Sequence, residues 1–256
     1  MKTPAATILI AALCGPLSAQ WFNYPTPGTP RTANGKADLS APVPRAADGH
    51  PDLSGVWSPD TRPLQVIAPA KDIPFQPWSR QLTDARADGS QGKDDPAAYC
   101  IPGMPKLVVL PYPYKIVQQV PDMMLILYEG FTTYRQIFTD GRALPKDAQP
   151  SWLGYSVGKW DGDTFVVETT GVNERTWLDN AGRPHTGAMR LTERYRRRDF
   201  GHLEMKLTID DPKTYTKPWT VNEDAVLLPD TDLLEYICSE DNKDVPHLTG
   251  NQKAPR

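Results

Sequence analysis

Apolar and polar side chains alternate in short runs along the stretch from Tyr114 to Cys238. In His202–Ile209, leucine, methionine and isoleucine occupy every second position, and polar or charged residues stand between them. Alternation of this kind is typical of a strand with one face on a core and the other in water. The predicted strands are Lys115–Val120, Met123–Glu129, Thr133–Thr139, Gly154–Trp160, Thr164–Thr170, Ala188–Arg197, His202–Ile209, Trp219–Val226 and Leu233–Cys238, preceded by Leu53–Trp57.

Turn residues separate these runs and indicate that successive strands pair with one another. Asp161-Gly162 lies between two of the runs, and Asp-Gly in that position is a strong local signal for a hairpin. A long series of antiparallel strands leaves unpaired edges unless the sheet closes on itself. We therefore predict an all-β fold, an antiparallel meander closed into a barrel, with few short helices. One helix is predicted at residues 75–86, with Pro77 in its first turn.

The first part of the chain has a different composition. Most of the 27 prolines precede Tyr114, and apolar runs are brief there. Residues 20–50 lack periodicity, and we interpret them as a proline-rich N-terminal arm or linker. Residues 51–256 are predicted to form a single barrel domain, in which residues 59–113 are a long ordered loop region packed on the barrel.

Residues 1–19 have the features of a secretory signal peptide. Lys2 precedes an apolar segment, and Leu17-Ser18-Ala19 is a small-residue cleavage site. No later segment approaches the length of a membrane span, so we expect an exported protein, periplasmic or extracellular, without stable membrane insertion. The formal net charge of −3 argues against nucleic acid as a partner.

Two cysteines, Cys100 and Cys238, remain after such a signal is removed. An even pair in an oxidising compartment predicts a disulfide, and two buried free thiols are the alternative. The four histidines show no metal-ligand spacing, and the chain has no phosphate-binding loop or dinucleotide-binding fingerprint. We therefore predict neither a metal site nor a cofactor.

Alternation also places two charged residues on the inner face of the predicted barrel. Arg135 alternates with Ile137, and Glu193 shares a face with Leu191 and Tyr195. A carboxylate that faces a core is costly unless it is paired or protonated. Arg135 and Glu193 are therefore predicted to pair. The pair is either structural, or a polar anchor for a ligand, or a setting in which Glu193 acts as a general base.

Residues 171–185 form a connection that is long for two neighbouring strands, and long loops in compact domains often carry function. This segment contains Trp177, Asp179 and His185. Asp179 and His185 are candidates for a carboxylate–imidazole pair beside a barrel mouth. In the alternative interpretation, Trp177 plugs one barrel end, Asp179 belongs to a turn and His185 only makes a capping hydrogen bond.

Two resemblances rest on particular motifs. Leu53-Ser54-Gly55-Val56-Trp57 resembles the Gly-x-Trp opening strand of lipocalin-type barrels, which implies a lipocalin-like barrel. Most of the chain is also similar to a family of secreted proteins, abundant in Acidobacteria and some Proteobacteria, that has no established activity. The matching runs are PDLSGVW at 51–57, YCIPG at 99–103, RQIFTDGR at 135–142, residues 152–170, RTWLD at 175–179, TERYRR at 192–197 and EYIC at 235–238. Members of this family often carry histidine where this chain has Tyr155, so any catalytic role of that position in the relatives does not carry over to this chain; Tyr155 is a candidate for ligand binding only.

Three hypotheses for function remain open. In the first, an exported binding protein holds a largely apolar or aromatic small molecule in the barrel mouth. Arg135, Tyr155 and Tyr195 then orient the ligand, and Trp177 supplies a stacking surface.

The second hypothesis is a barrel-type enzyme, a hydrolase, isomerase or lyase, in which Glu193 or the Asp179–His185 pair is the general base. The third is a structural protein of the cell envelope whose barrel is filled by its own side chains. A hollow interior would favour the first two, and a filled one the third.

Overall fold

A computed structural model describes residues 24–59 and 66–240, and their central feature is a closed barrel of nine strands. The predicted all-β barrel is thus confirmed. The strands are β1 Gly55–Pro59, β2 Tyr114–Val120, β3 Met123–Tyr128, β4 Thr133–Phe138, β5 Tyr155–Asp161, β6 Thr164–Thr170, β7 Arg190–Arg197, β8 His202–Asp210 and β9 Trp219–Leu227. The α-helices in the described ranges are α1 Pro77–Arg86 and α2 Lys106–Val109. The predicted signal peptide, residues 1–19, lies outside the described residues.

The strand order follows the sequence, and pairing of β1 with β9 closes the barrel. All neighbouring strands are antiparallel except β4 and β5, which run parallel. The predicted uninterrupted meander is therefore wrong at this point. Residues 139–154 return the chain to the end of the barrel where β4 began, because a parallel pair needs a long crossover connection.

Residues 233–238 were predicted to be a strand, and this prediction is wrong. They form an irregular segment outside the barrel. Because β9 already pairs with β1, no free sheet edge remains for them. Their backbone instead bonds to side chains, as Leu234 N does to Glu129 Oε2 at 2.9 Å.

Local signals in the sequence agree with the structure at two other elements. The β5–β6 hairpin turns on Gly162-Asp163, with Asp161 paired to Thr164, and Gly162 has a φ of +58° that glycine adopts at little cost. Helix α1 begins at Pro77, where the missing N–H of proline has no intrahelical partner to lose.

The barrel interior is filled with side chains. In β8 the alternating residues Leu203, Met205, Leu207 and Ile209 are all buried, as predicted, and they belong to one apolar cluster. The largest fully buried residues include Trp57, Arg135, Phe165, Ile116, Ile126 and Ile137. The core of the protein is therefore the interior of the barrel itself.

Residues 24–54 cover one end of the barrel. The backbone N–H groups of Phe200 and Gly201, in the β7–β8 turn, donate to the carbonyls of Ala41 and Leu39 at 2.8 and 2.7 Å. At the same end His50 stacks on Trp160, with ring centroids 4.6 Å apart. This segment thus packs on the barrel along much of its length.

Residues 66–113 and 171–189 cover the opposite end. Gln76 N donates to Thr214 O at 2.9 Å, and Met104 N to Trp152 O at 3.1 Å. Within these segments, the side chains of Met104 and Leu178 are fully buried. Both mouths of the barrel are therefore occupied by the protein's own chain.

The predicted disulfide between Cys100 and Cys238 is present, with the two Cα atoms 5.6 Å apart. It joins the segment before β2 to the irregular segment after β9, across 138 residues of sequence. In the loop-entropy model a link of this length stabilises the fold by about 4–5 kcal/mol. A disulfide fits an oxidising compartment, which is the setting expected for an exported protein. None of the helices in the described ranges is long and apolar enough to cross a bilayer.

Candidate functional site

Arg135 and Glu193 form a bidentate ion pair inside the barrel. Arg135 projects inward from β4 and Glu193 inward from β7, with two strands between them in the wall. The two guanidinium nitrogens lie 3.0 and 2.5 Å from the two carboxylate oxygens. Their side chains are 1 % and 0 % exposed. The pairing predicted from alternation is confirmed.

The remaining polar groups of this pair are also bonded. Arg135 Nε donates to Ser156 Oγ at 3.0 Å, and one of its terminal nitrogens donates to Thr169 Oγ1 at 2.6 Å. Tyr195 donates its hydroxyl to Glu193 Oε1 at 2.7 Å. Burial disfavours the guanidinium charge, but Glu193 and the neighbouring tyrosines outweigh it and raise the pKa of Arg135. Arg135 therefore stays protonated.

This inner network has the properties of a structural element. Burial raises the pKa of Tyr195 well above its usual value and that of Tyr128 to about 12, so both phenols stay neutral. Apolar side chains surround the network, and Glu193 has no exposed surface. The roles predicted for Glu193 as a base and for Arg135 and Tyr195 in ligand binding remain predictions, because a substrate reaching them would have to displace packed side chains.

Asp179 and His185 do not form the predicted pair, and that prediction is wrong. Asp179 accepts the backbone N–H groups of Ile67 and Ala181, both at 2.9 Å, and forms an ion pair with Arg183. Both carboxylate oxygens of Asp179 are therefore bonded, to residues of its own turn and to the distant segment that contains Ile67. His185, further along, bonds to a different residue.

His185 is hydrogen-bonded to Thr176. Its Nδ1 lies 3.0 Å from the carbonyl oxygen of Thr186, and a carbonyl only accepts, so Nδ1 carries a proton. Burial lowers the pKa of His185, which keeps the ring neutral and leaves Nε2 as an acceptor. The Thr176 hydroxyl lies 2.7 Å from Nε2 and shares its one proton between Nε2 and the carbonyl oxygens of Met104 and Asn173, each 3.1 Å away. A hydroxyl bonded to a neutral imidazole is the arrangement that activates oxygen nucleophiles.

Thr176 lines a small crevice at the capped end, which we call the end crevice. Its other polar walls are Lys106 and Asp95, which form a buried ion pair, and Trp177. Trp177 lies beneath the guanidinium of Arg86, 4.5 Å from the ring centroid. The volume of the end crevice is about 10 Å³, which is room for about one water molecule. Trp177 thus packs against cations and is not free to stack on a ligand in this conformation.

Tyr155 lies on the outside of the barrel and not with Arg135 and Glu193. Its neighbour Ser156 is buried inward, so Tyr155 points outward. Its hydroxyl accepts a hydrogen bond from Arg142 at 3.1 Å, and its ring contacts Phe138, with centroids 5.3 Å apart. Two predicted ligand-binding residues, Tyr155 and Arg135, therefore face opposite sides of the wall.

A cavity on the outer wall is lined by Arg142, the residue that donates a hydrogen bond to Tyr155. We call it the outer groove, and its volume is about 370 Å³. Residues 141–144 of the crossover form one side. Its remaining lining residues are Val157, Gly158 and Lys159 of β5, Val166 and Glu168 of β6, and Arg190 of β7.

The floor of the outer groove is apolar although it belongs to the outward row of the strands. A Cβ added to Gly158 would meet Phe165 and Ile137 in the interior, so the residues on either side, Val157 and Lys159, point outward. Val166 pairs with Lys159 in the register and is nevertheless only 6 % exposed. The outer wall is therefore partly covered here, and a ligand that lies on it would bury more apolar surface.

In comparisons with known proteins, the chain matches no family model, no curated protein and no solved structure. The two resemblances stated from sequence motifs therefore remain predictions. Within residues 24–59 and 66–240, no three His, Cys, Asp or Glu side chains are grouped so that they could hold a metal ion.

Most of the residues that line the two cavities were not predicted from the sequence. Thr176 and Lys106 carry no local signal, because their partners come from distant segments. The outer groove had one signal: Val157 and Val166 are apolar residues in outward rows of β5 and β6. Apolar side chains in an outward row indicate that something covers the strand there.

Proposed function

We propose that this protein is an exported small-molecule-binding protein whose ligand occupies the outer groove. The observation that carries the proposal is the groove itself, whose volume of about 370 Å³ lies within the range of ligand pockets, about 300–1,000 Å³. It combines an apolar floor with a few charged groups, which is the usual anatomy of such pockets. The Cys100–Cys238 disulfide supports the exported location.

The filled interior argues against a ligand inside the barrel and, by the criterion of a hollow or filled interior, favours the structural hypothesis, but that criterion does not cover a groove on the outer wall. Placement of the ligand on the outer wall therefore differs from the barrel mouth expected from the sequence. A ligand at the mouth would have to displace either residues 24–54 or the segments 66–113 and 171–189. It would also have to enter an interior in which residues such as Trp57 and Phe165 have no more than 1 % of their surface exposed. The outer groove requires no such displacement.

The proposal is tested by narrowing the groove. We expect Val157→Trp to weaken binding of 8-anilinonaphthalene-1-sulfonate, a probe with an aromatic body, by about tenfold, because the indole occupies the apolar floor. Val226→Trp is the matched control, since Val226 is an outward valine on β9, away from the groove. Isothermal titration calorimetry measures both variants. Equal affinity of Val157→Trp and Val226→Trp for the probe would contradict the proposal.

A second candidate function, hydrolysis, rests on the hydrogen bond from Thr176 to His185 at the end crevice. Because this crevice admits about one water molecule, a substrate would have to bind at its opening, and for this reason we prefer the outer groove. The test is release of p-nitrophenol from p-nitrophenyl acetate. Thr176→Val should abolish turnover, whereas Thr214→Val, at another buried and hydrogen-bonded threonine, should preserve it. Turnover that survives in Thr176→Val excludes the threonine as nucleophile.

A further inference from the structure

The outward arginines of β7 differ in their partners. Arg194 forms an ion pair with Asp161 at 2.7 Å, and Arg196 lies 3.6 Å from Glu204. Arg190, at the outer groove, faces Asp210 across the β7–β8 register, but no carboxylate lies within salt-bridge distance of it among the described residues. Its planar guanidinium is therefore available to bind an acid group through two parallel hydrogen bonds.

The register places a second guanidinium opposite Arg190. Tyr155 pairs with Thr170 on β6, and its hydroxyl holds Arg142. Leu191 pairs with Thr169, so Arg190 lies one step further along β7, at the level of Thr170. Arg142, which belongs to the crossover and is held on the β5 side by Tyr155, and Arg190 of β7 thus line the groove on either side of β6.

Arg142 is already partly neutralised. Asp140 accepts hydrogen bonds from its Nε at 2.8 Å and from one terminal nitrogen at 2.5 Å, and the other terminal nitrogen donates to Tyr155. Arg190 is therefore the stronger of the two anion-binding groups, and Arg142 adds hydrogen-bond donors at the edge.

Further along the groove, Lys159 pairs with Val166 in the register and points outward. Glu168 lies between this lysine and the arginines, opposite Val157. Of the groove-lining groups without a described partner, two are cationic (Lys159 and Arg190) and one is anionic (Glu168), so the lining has a net positive charge; Asp210, opposite Arg190 on β8, lies outside the lining. A neutral or cationic ligand would leave that charge uncompensated.

We propose that the outer groove binds organic acids: the acid group accepts hydrogen bonds from Arg190, and the apolar body lies on Val157 and Val166. This inference rests on the proposed function and adds the chemical class of the ligand. Glu168 opposes the acid group electrostatically, so it lowers affinity for acids whose apolar body carries no hydrogen-bond donor. Removal of the Arg190 charge should therefore weaken acid binding, and removal of the Glu168 charge should strengthen it.

The test compares naphthalene-1-acetate with its uncharged amide, naphthalene-1-acetamide, by calorimetric titration of the full protein. We expect the acid to bind about tenfold more tightly than the amide, because charge-assisted bidentate hydrogen bonds are stronger than neutral ones. Arg190→Met should reduce this ratio to about two- to threefold, and Glu168→Gln should tighten acid binding about threefold. Added salt should lower the ratio, since the charges are exposed.

Matched controls separate the charge effect from general surface effects. Arg196→Met removes an outward arginine of β7 outside the groove, and Lys206→Met an exposed lysine of β8; both should keep the tenfold ratio. Equal affinity for acid and amide in the native protein, or a ratio unchanged by Arg190→Met, would overturn the assignment of ligand class. Either result leaves the proposed function intact if 8-anilinonaphthalene-1-sulfonate still distinguishes Val157→Trp from Val226→Trp, and failure of that comparison removes both.

Discussion

The barrel interior and the outer groove each contain an arginine and a glutamate, which are buried and bonded to each other in the interior and exposed in the groove. Inside, Arg135 and Glu193 are fully buried, and each finds its hydrogen bonds within the protein. In the outer groove, Arg190 and Glu168 are exposed and have no described partner. Buried charges persist only when they are bonded, whereas charges at an open cavity remain available to a ligand. The inner pair therefore maintains the fold, and the outer groove is the site that we propose for a ligand.

The largest effect is expected from the inner pair. Glu193→Gln removes the negative partner and leaves the Arg135 charge buried, which should lower the free energy of unfolding by about 3–5 kcal/mol. Arg135→Met together with Glu193→Met should cost less than Glu193→Gln alone, because no unpaired charge remains. Urea denaturation measures all three proteins. A loss below about 1 kcal/mol for Glu193→Gln would mean that the pair does not maintain the fold.

A smaller effect is expected where only one hydrogen bond of this network is removed. Tyr195→Phe deletes the hydroxyl that donates to Glu193 Oε1, while Arg135 continues to bind the same oxygen. Hydrogen bonds to charged groups contribute about 1.5–3 kcal/mol, and we expect the lower part of that range in urea denaturation. Probe binding at the outer groove should not change, and a change there would show that the two regions are coupled.

Mild acid should lower stability through His185. Burial depresses the pKa of this histidine below its usual 6.5, so below that pH the unfolded chain binds a proton that the folded protein does not. Stability is therefore fully present above about pH 6.5 and falls with decreasing pH, by at most about 1.4 kcal/mol per pH unit, until the folded pKa is reached. His185→Gln should remove this slope in urea denaturation between pH 6.5 and 5.5. An unchanged slope in that variant would assign it to other groups.

The smallest effect on stability is expected at the groove. Glu168→Gln changes an exposed side chain without a described partner, so the free energy of unfolding should shift by less than about 0.5 kcal/mol. In urea denaturation, the losses in free energy of unfolding for Glu168→Gln and Glu193→Gln should then differ by several kcal/mol, although the chemical change is the same. Similar losses for the two variants would contradict the distinction between a structural interior and a free groove.

Alternation and turn chemistry were sufficient for much of the fold. They predicted the inward positions of Arg135 and Glu193, and the Asp161-Gly162 hairpin. These features depend on residues that are neighbours in sequence or lie in one strand. The parallel β4–β5 pair was missed, because strand direction depends on the path of residues 139–154, which have no periodicity of their own.

The candidate site was less accessible to sequence analysis, for the same reason. Asp179 and His185 are close in sequence, but their partners are Ile67 N–H and Arg183 for the former and Thr176 for the latter. Tertiary packing determines which distant segment contacts a given loop residue. Sequence proximity therefore indicated the wrong pair.

By itself, the sequence determined the barrel class, the two faces of its strands, the buried ion pair and the disulfide, because periodicity and an even cysteine pair are local or compositional properties. Tertiary structure alone decided that both mouths are covered and that the cavity of ligand size lies on the outer wall. That outcome depends on where the crossover 141–144 lies against Val157 and Val166, and on Arg190 lining the groove without a salt bridge to a described residue. Such properties arise from the spatial arrangement of distant segments, which no single stretch of sequence encodes.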